Sequence, residues 1–271
     1  MNKLLLLPIT LLLFTACSKN KEEIEQAPKA KTISLASTDS KSNDTLFFSD
    51  IMWRISETEG SINDEIIPSK ADNVFLDSLG RLHLRMTKQS GGFYGAEITA
   101  DTLFDLGKFT FEIASDLAKL PKNVELRFRL INPNEIIKNG LTETGISISY
   151  ENSSKASPIK YYSINTNSKE IEKVYSEKAF VNKNVKFRII MVKDAVSYVF
   201  SANNKNIEEI TNSKYTKNSN LTFFTPSTKQ KLVISAYYFD GSEKAEEFEV
   251  IISKVKTKSI LETQDNLITK K

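Results

Sequence analysis

The feature that most constrains the fold is an alternation of apolar and polar residues in many short segments. The clearest examples are residues 82–86, 109–113, 124–130, 146–150, 185–189 and 196–200. Successive side chains of a β-strand point to opposite faces, so segments of this kind are typical of half-buried strands. The sequence predicts an all-β protein, an antiparallel β-sandwich. Without an internal repeat or a Pro/Gly linker, one domain over residues 46–257 is favoured.

Residues 1–16 have the composition of an export signal. Lys3 precedes an apolar run at residues 4–14, which is too short to cross a bilayer because a spanning helix needs about 20 residues. The one cysteine of the chain, Cys17, follows and can form no disulfide within the chain. The run Phe-Thr-Ala-Cys at 14–17 resembles the bacterial lipobox, which implies cleavage before Cys17 and lipidation of its thiol. The alternative is an ordinary secretory signal followed by a chance cysteine.

The residues after Cys17 suggest where such a lipoprotein would lie. Residues 17–45 are rich in Lys, Glu, Ser and Thr and poor in aromatic residues, which indicates a flexible tether. Ser18 and Lys19 leave no Asp at the second position, which by resemblance to Gram-negative lipoproteins implies the outer membrane. The Lys-Glu-Glu run at 21–23 resembles a surface-export signal, so the periplasmic side and the cell surface both stay open. Residues 258–271 are predicted to be a polar tail.

Charge and histidine content exclude several classes of partner. The formal net charge is +3, and removal of residues 1–16 takes away Lys3 alone. The lysines are scattered along the chain and are not interleaved with aromatic residues, so we predict no nucleic-acid partner. His83 is the single histidine, which is too few ligands for a transition-metal site. We therefore predict no metal and no cofactor, and we predict a monomer.

Further segments stand in a characteristic order along the chain. They are 73–77 (NVFLD), 80–84 (GRLHL), 93–98 (FYGAEI), 104–111 (FDLGKFTF), 185–200 and 249–255. In this order they resemble the strands of glycoside hydrolase family 16, over roughly residues 50–255. The resemblance implies the concanavalin A-like jelly-roll fold, with a carbohydrate cleft on one concave sheet.

In that family the chemistry lies on one strand with the pattern E-x-D-x-E, whose three carboxylates share the cleft face. The retaining mechanism needs two carboxyl groups about 5–5.5 Å apart, which alternate strand positions can supply. The segment that resembles this strand is 144–150, and its apolar residues align so that Gly145, Ser147 and Ser149 occupy the three acidic positions. None of these side chains ionises near neutral pH, so the resemblance implies a chain without the catalytic acids of the family.

Two glutamates flank this strand without replacing the missing pair. Glu143 and Glu151 are eight residues apart, and an extended strand would separate their backbones by about 26 Å. That distance is too long for two groups that act on one glycosidic bond.

The preceding strand presents Glu125, Arg127 and Arg129 toward the same cleft. One hypothesis is a site for an acidic sugar or another anion, because guanidinium groups recognise carboxylate and sulfate. The other is a salt-bridged, solvated sheet face in which Glu125 pairs with an arginine. The candidate cleft and ligand-binding residues are Tyr94, Glu97, Glu125, Arg127, Arg129, Ser147 and Ser149. The tyrosine pairs at 161–162 and 237–238 should each turn one ring outward.

Three functions stay open at this point. The favoured one is a membrane-anchored, non-catalytic lipoprotein that binds a poly- or oligosaccharide. The second is a polysaccharide-hydrolysing enzyme with rearranged acids such as Glu97, Glu112 or Glu125. The third is a structural envelope lipoprotein whose sandwich docks a protein partner.

Overall fold

The computed structural model describes residues 45–58, 68–89, 92–133, 142–150, 158–165, 170–175, 184–192, 195–213, 229–238 and 246–260. The predicted signal segment, Cys17 and the tether up to residue 44 lie outside the described residues, as do Glu151 and residues 261–271 of the predicted polar tail. Lys258 and Ser259, the first two residues of that predicted tail, instead belong to the last strand. Among the residues described, none belongs to a helix long and apolar enough to cross a membrane.

The described residues form two antiparallel sheets of strands numbered in chain order. The first sheet has the order β1-β2-β6-β15-β8-β9-β10-β11, and the second has the order β14-β13-β12-β7-β16-β4-β3, with β5 paired to β4. The first sheet consists of β1 (Thr45–Phe48), β2 (Ile51–Ile55), β6 (Ala96–Phe104), β15 (Gln230–Tyr238), β8 (Val124–Ile131), β9 (Thr142–Ser149), β10 (Ile159–Asn165) and β11 (Glu170–Tyr175). The second consists of β14 (Lys205–Ser213), β13 (Ala195–Ala202), β12 (Val185–Val192), β7 (Gly107–Ile113), β16 (Phe248–Ser259), β4 (Leu82–Gln89) and β3 (Val74–Leu76), with β5 at Gly92–Tyr94.

The core lies between the two sheets and is built from the apolar positions of the alternating segments. Phe128 of β8 stacks on Phe111 of β7 with ring centroids 4.4 Å apart, and both side chains are fully buried. Burying a side chain of this size stabilises the fold by about 1.5–3 kcal/mol. The predicted antiparallel β-sandwich is confirmed.

Strand periodicity then dictates what the first sheet shows on its other side. Because Leu126, Phe128 and Leu130 are fully buried in the core, Arg127 and Arg129 between them must point the opposite way. We call this outer side of the first sheet the polar face.

Candidate functional site on the polar face

Strand register assembles the polar face from residues far apart in the chain. One row across β6, β15, β8, β9 and β10 consists of Glu97, Ser235, Arg127, Ser147 and Lys160. The next row across β15, β8, β9 and β10 consists of Val233, Arg129, Gly145 and Tyr162. Neighbouring strands are about 4.8 Å apart, so the five-residue row extends about 19 Å across the sheet.

Arg129 joins two glutamates from different strands. Its Nη2 lies 2.6 Å from Oε2 of Glu97, and its Nη1 lies 3.6 Å from Oε2 of Glu143. The side chains of Arg129 and Glu143 are 12% and 4% exposed, respectively. Ser56 donates a further hydrogen bond of 3.3 Å to Glu97. This arrangement holds both carboxylates in a largely buried ion-pair cluster.

Glu125 is the centre of a second cluster. Arg127 donates two hydrogen bonds to it, from Nε at 2.8 Å and from Nη2 at 3.0 Å. The hydroxyl of Ser147 donates to Oε1, and the hydroxyl of Tyr237 donates to Oε2 at 2.9 Å. The Nζ of Lys160 lies 3.8 Å from Oε1 of Glu125. The carboxylate therefore has donors on both of its oxygens.

These contacts keep Glu125 ionised although the residue is only 5% exposed. Burial raises the pKa of the carboxyl group, but the charge and hydrogen bonds of Arg127, with Lys160 and Ser147, outweigh it and lower the pKa to about 2. A general acid must hold a proton near the working pH. Glu125 cannot do so at neutral pH.

The two ion-pair clusters together are electrically balanced. Three carboxylates (Glu97, Glu125 and Glu143) lie among three cations (Arg127, Arg129 and Lys160), so the formal charges sum to 3 − 3 = 0. The ion pair between Glu125 and an arginine, which the salt-bridged hypothesis expected, is present. Its solvation is partial, because the side chains of Glu125 and Arg129 are 7% and 12% exposed, whereas those of Arg127 and Lys160 are 29% and 27% exposed.

The position that the family resemblance assigns to a nucleophile is closed. A Cβ atom on Gly145 would lie 2.7 Å from the carbonyl oxygen of Phe128 and 2.8 Å from the hydroxyl oxygen of Tyr162. Contacts this short force neighbouring atoms to move, and one of them is backbone. Ser147 is fully buried and bonded to Glu125, and Ser149 lies opposite Glu125 in the register.

Two further candidate residues, Glu112 and Tyr94, lie on strands that pair within the second sheet. Glu112 lies in the second sheet, where Lys256 and Lys186 pair with it at 2.5 and 3.8 Å, so it does not join Glu97 and Glu125. Tyr94 lies on β5, which pairs with β4, and the Nζ of Lys70 stands 4.9 Å from its ring centroid.

Each tyrosine pair has one member on the outer side of the first sheet, as predicted. Tyr162 and Tyr237 do point to the polar face, yet their residues are only 3% and 6% exposed. The reason is that charged side chains cover the rings: Arg127 lies 4.8 Å from the ring centroid of Tyr237, and the Nζ of Lys160 lies 5.7 Å from that of Tyr162.

Several buried polar atoms of this face have no hydrogen-bond partner among the described residues. They are Nε of Arg129, Oε2 of Glu143, the hydroxyl of Tyr162 and the hydroxyl of Ser235. Burial, followed by the charge of Glu143, raises the pKa of Tyr162 well above its usual range, so its hydroxyl remains a donor. Unsatisfied buried polar groups are costly, and such groups are typically met by water or a ligand.

Sequence reasoning did not include Lys160, Tyr162, Ser235 and Tyr237 among the site residues. The alternation of β10 could have placed Lys160 and Tyr162 on one face, because they are two positions apart. Ser235 and Tyr237 could not be found in this way. Their strand, β15, is inserted between β6 and β8 by the sheet topology alone.

This architecture is the jelly-roll β-sandwich of the glycoside hydrolase family 16 glucanases, which confirms the predicted fold. A β-glucanase of Bacillus licheniformis superposes with a TM-score of 0.54 and 11% identity, covering 76% of this chain and 92% of that chain. A family 16 endo-glucanase from Bacteroides ovatus gives a TM-score of 0.55 and 12% identity, covering 80% and 98%.

A third similar structure is described as an immunostimulatory antigen and pseudo β-1,3-glucanase of Mycobacterium tuberculosis. Its TM-score is 0.55 and its identity 13%, and the likeness covers 79% of this chain and 91% of that chain. No protein-family model matches the sequence, and no curated protein matches it either. At identities this low, the likeness concerns the fold.

Proposed function

We propose that this protein is a membrane-anchored lipoprotein whose β-sandwich binds a carbohydrate through the polar face without hydrolysing it. The observation that carries the proposal is that Tyr162 closes the Gly145 position while buried donors and acceptors around it lack partners. Ligand hydroxyl groups are donors and acceptors that would satisfy them once the side chain of Lys160, which covers the ring of Tyr162 and is 27% exposed, moves aside. Arg127 keeps Glu125 ionised, which leaves this carboxylate unsuited to act as a general acid, and Glu97 is ion-paired with Arg129.

The charge balance favours an uncharged sugar over an acidic one. An anion would have to compete with Glu125 for Arg127 and with Glu97 and Glu143 for Arg129. Breaking a buried ion pair to bind a new charge leaves a carboxylate without its counterion, which is strongly unfavourable. We therefore expect neutral polysaccharides to bind better than sulfated or carboxylated ones.

We expect residues 17–271, carrying Cys17→Ser to prevent lipidation, to be retarded in affinity gels that contain a neutral polysaccharide such as laminarin or mixed-linkage β-glucan. The variant Tyr162→Phe should weaken binding about tenfold, because it removes one hydrogen bond to the ligand. Loss of a hydroxyl that has no protein partner should leave the free energy of unfolding almost unchanged.

Tyr161→Phe is the matched control. The ring of Tyr161 lies in the core and its hydroxyl donates to Glu208 at 2.9 Å, so this variant should keep the affinity for the polysaccharide. Failure of every neutral polysaccharide to retard the protein would count against the proposal, as would equal retardation of Tyr162→Phe and the unsubstituted chain.

For the anchor, we expect Cys17→Ser to move most of the protein from the membrane fraction to the soluble fraction after a high-salt wash. Several acyl chains on one residue hold a protein stably to a bilayer, and a serine cannot carry the thioether-linked lipid. Ser18→Ala serves as the neighbouring control and should stay with the membranes. A Cys17→Ser protein that sediments with salt-washed membranes would contradict the lipidation of this residue.

A further inference from the structure

The outer side of the second sheet brings together cations from three strands that are distant in the sequence. Register across β16, β7 and β12 places Lys254, Glu112 and Lys186 in one row, with Lys256, Thr110 and Arg188 in the next. A third row contains Lys258, Lys108 and Ile190. We define the basic face as the six cations Lys108, Lys186, Arg188, Lys254, Lys256 and Lys258.

The charges of the basic face are not balanced as those of the two ion-pair clusters are. Within the nine positions of these rows there are six cations and one carboxylate, Glu112, so the formal sum is 6 − 1 = +5. Glu112 pairs with Lys256 at 2.5 Å and with Lys186 at 3.8 Å. On β14, two strands beyond Arg188, Glu209 lies in register with the middle row. The centre of the face nevertheless has a large excess of positive charge.

The cations are close enough to repel one another. The pKa of Lys108 lies below its usual value because of partial burial, followed by the positive charges of Arg188, Lys258 and Lys256. Rows on one side of a strand are about 7 Å apart and strands about 4.8 Å apart, so these side chains occupy an area of roughly 10 by 14 Å. Clustering like charges disfavours the folded chain unless a counter-charge is nearby.

The basic face is open to a large partner. Lys254, Lys256 and Lys258 are exposed, with the side chain of Lys256 52% exposed. The rows contain no aromatic side chain, so a sugar ring or a nucleic-acid base would find no stacking surface there. A sheet face with cations on three adjacent strands instead suits a broad array of negative charges.

The proposed lipid anchor supplies such an array. Residues 17–44 comprise 28 residues, and a tether of that length, if flexible as the composition predicts, has an average end-to-end distance of about 30 Å. Each lysine or arginine near an anionic membrane surface strengthens binding about fivefold. The polar face lies on the opposite side of the sandwich from the basic face, because each is the outer side of a different sheet.

We propose that the basic face docks the domain onto anionic lipid headgroups of the membrane to which Cys17 is anchored, so that the polar face is turned away from the bilayer. The orientation rests on the proposed carbohydrate site, whereas the docking itself needs only the six cations. Docking would position the ligand face toward polysaccharide outside the membrane. It would also place the excess positive charge of the basic face next to anionic lipid headgroups.

The test uses residues 17–271 with Cys17→Ser, so that no lipid contributes to binding. Vesicles of phosphatidylcholine with about 40% phosphatidylglycerol are compared with pure phosphatidylcholine by flotation, at low salt and at about 0.5 M salt. We expect binding to the anionic vesicles at low salt only. The double variant Lys254→Gln/Lys258→Gln should bind about 25-fold more weakly, from two losses of about fivefold each.

Lys119→Gln/Lys122→Gln is the matched control, since both lysines are exposed and lie between β7 and β8 rather than on the basic face. It should bind the anionic vesicles like the unsubstituted chain. Equal binding by the Lys254 and Lys258 variant would overturn the proposal, as would the absence of binding to anionic vesicles. Tighter binding to a DNA duplex than to the vesicles at the same salt would overturn it as well.

Affinity gels that contain the polysaccharide, run with the same variants, distinguish the docking proposal from the carbohydrate-binding proposal. We expect Lys254→Gln/Lys258→Gln to keep its affinity for the polysaccharide, because these residues lie on the other sheet from Tyr162. A chain that binds vesicles but no polysaccharide would refute the carbohydrate site and leave the docking intact.

Discussion

Replacing Arg129 with methionine is expected to lower the free energy of unfolding by about 3–5 kcal/mol. The guanidinium group is the counterion of both Glu97 and Glu143, at 2.6 and 3.6 Å. Methionine fills a similar volume but supplies no charge, so two carboxylates would remain in a buried layer without compensation. The cost of such unpaired charges exceeds the modest net gain that an intact buried ion pair provides.

Urea unfolding followed by circular dichroism measures this difference, with Arg54→Met as the matched control. Arg54 also pairs with a carboxylate, Asp101 at 3.1 Å, but its side chain is 66% exposed. An exposed ion pair contributes about 0–1 kcal/mol, so the control should be nearly as stable as the unsubstituted chain. The triple variant Arg129→Met/Glu97→Gln/Glu143→Gln should recover most of the loss. A loss below 1 kcal/mol for Arg129→Met alone would show that the cluster is effectively solvated.

The fold was predictable because strand periodicity is a local property. Alternation in β8 and β9 was enough to assign Arg127 and Arg129 to one side with Gly145 and Ser147, and the register confirms that they are neighbours. The core positions between them follow from the same alternation. These inferences needed only the order of residues within a strand and the pairing of strands that follow one another.

The residues and contacts of the site were less predictable, because several of them come from strands that are distant in the chain. Ser235 lies opposite both Glu97 and Arg127 only because β15 enters the sheet between β6 and β8. The sequence could exclude Glu143 and Glu151 as a catalytic pair. The contact between Glu143 and Arg129 could not be predicted without the register of β8 and β9. The balance of charges on the polar face is a property of this assembly.

The basic face shows the same limit. Along the chain only Lys254, Lys256 and Lys258 alternate within one segment, and the other three cations lie at least 66 positions away from it. The sheet brings β16, β7 and β12 together, and only then do Lys108, Arg188 and Lys256 become neighbours. A count of net charge cannot show such an arrangement, because balanced and unbalanced faces of one sandwich contribute to the same total.

The second large effect concerns catalysis. We expect no glycoside hydrolysis by the protein, and none after Gly145→Glu/Ser147→Asp/Ser149→Glu restores three acidic side chains to the strand. A side chain at 145 would meet the carbonyl oxygen of Phe128 and the hydroxyl of Tyr162. A carboxylate at 147 would also lie beside ionised Glu125, whose repulsion disfavours it.

This triple variant should be less stable as well as inactive, and thermal unfolding will detect the loss. Overpacking in a buried site costs about 1–3 kcal/mol. The control Ser149→Glu alone avoids the Gly145 contacts and should be the most stable of the acidic single variants. Hydrolysis by the triple variant would mean that Tyr162 can move aside and that the site retains the geometry of an enzyme.

The most direct test of a binding site without catalysis is to measure reducing ends released from laminarin and mixed-linkage β-glucan, together with retardation by the same polysaccharides. We predict retardation of the protein with no release of reducing ends above the buffer blank. Release that is abolished by Glu97→Gln or Glu125→Gln would contradict the proposal, because it would show that the ion-paired glutamates of the polar face still perform chemistry.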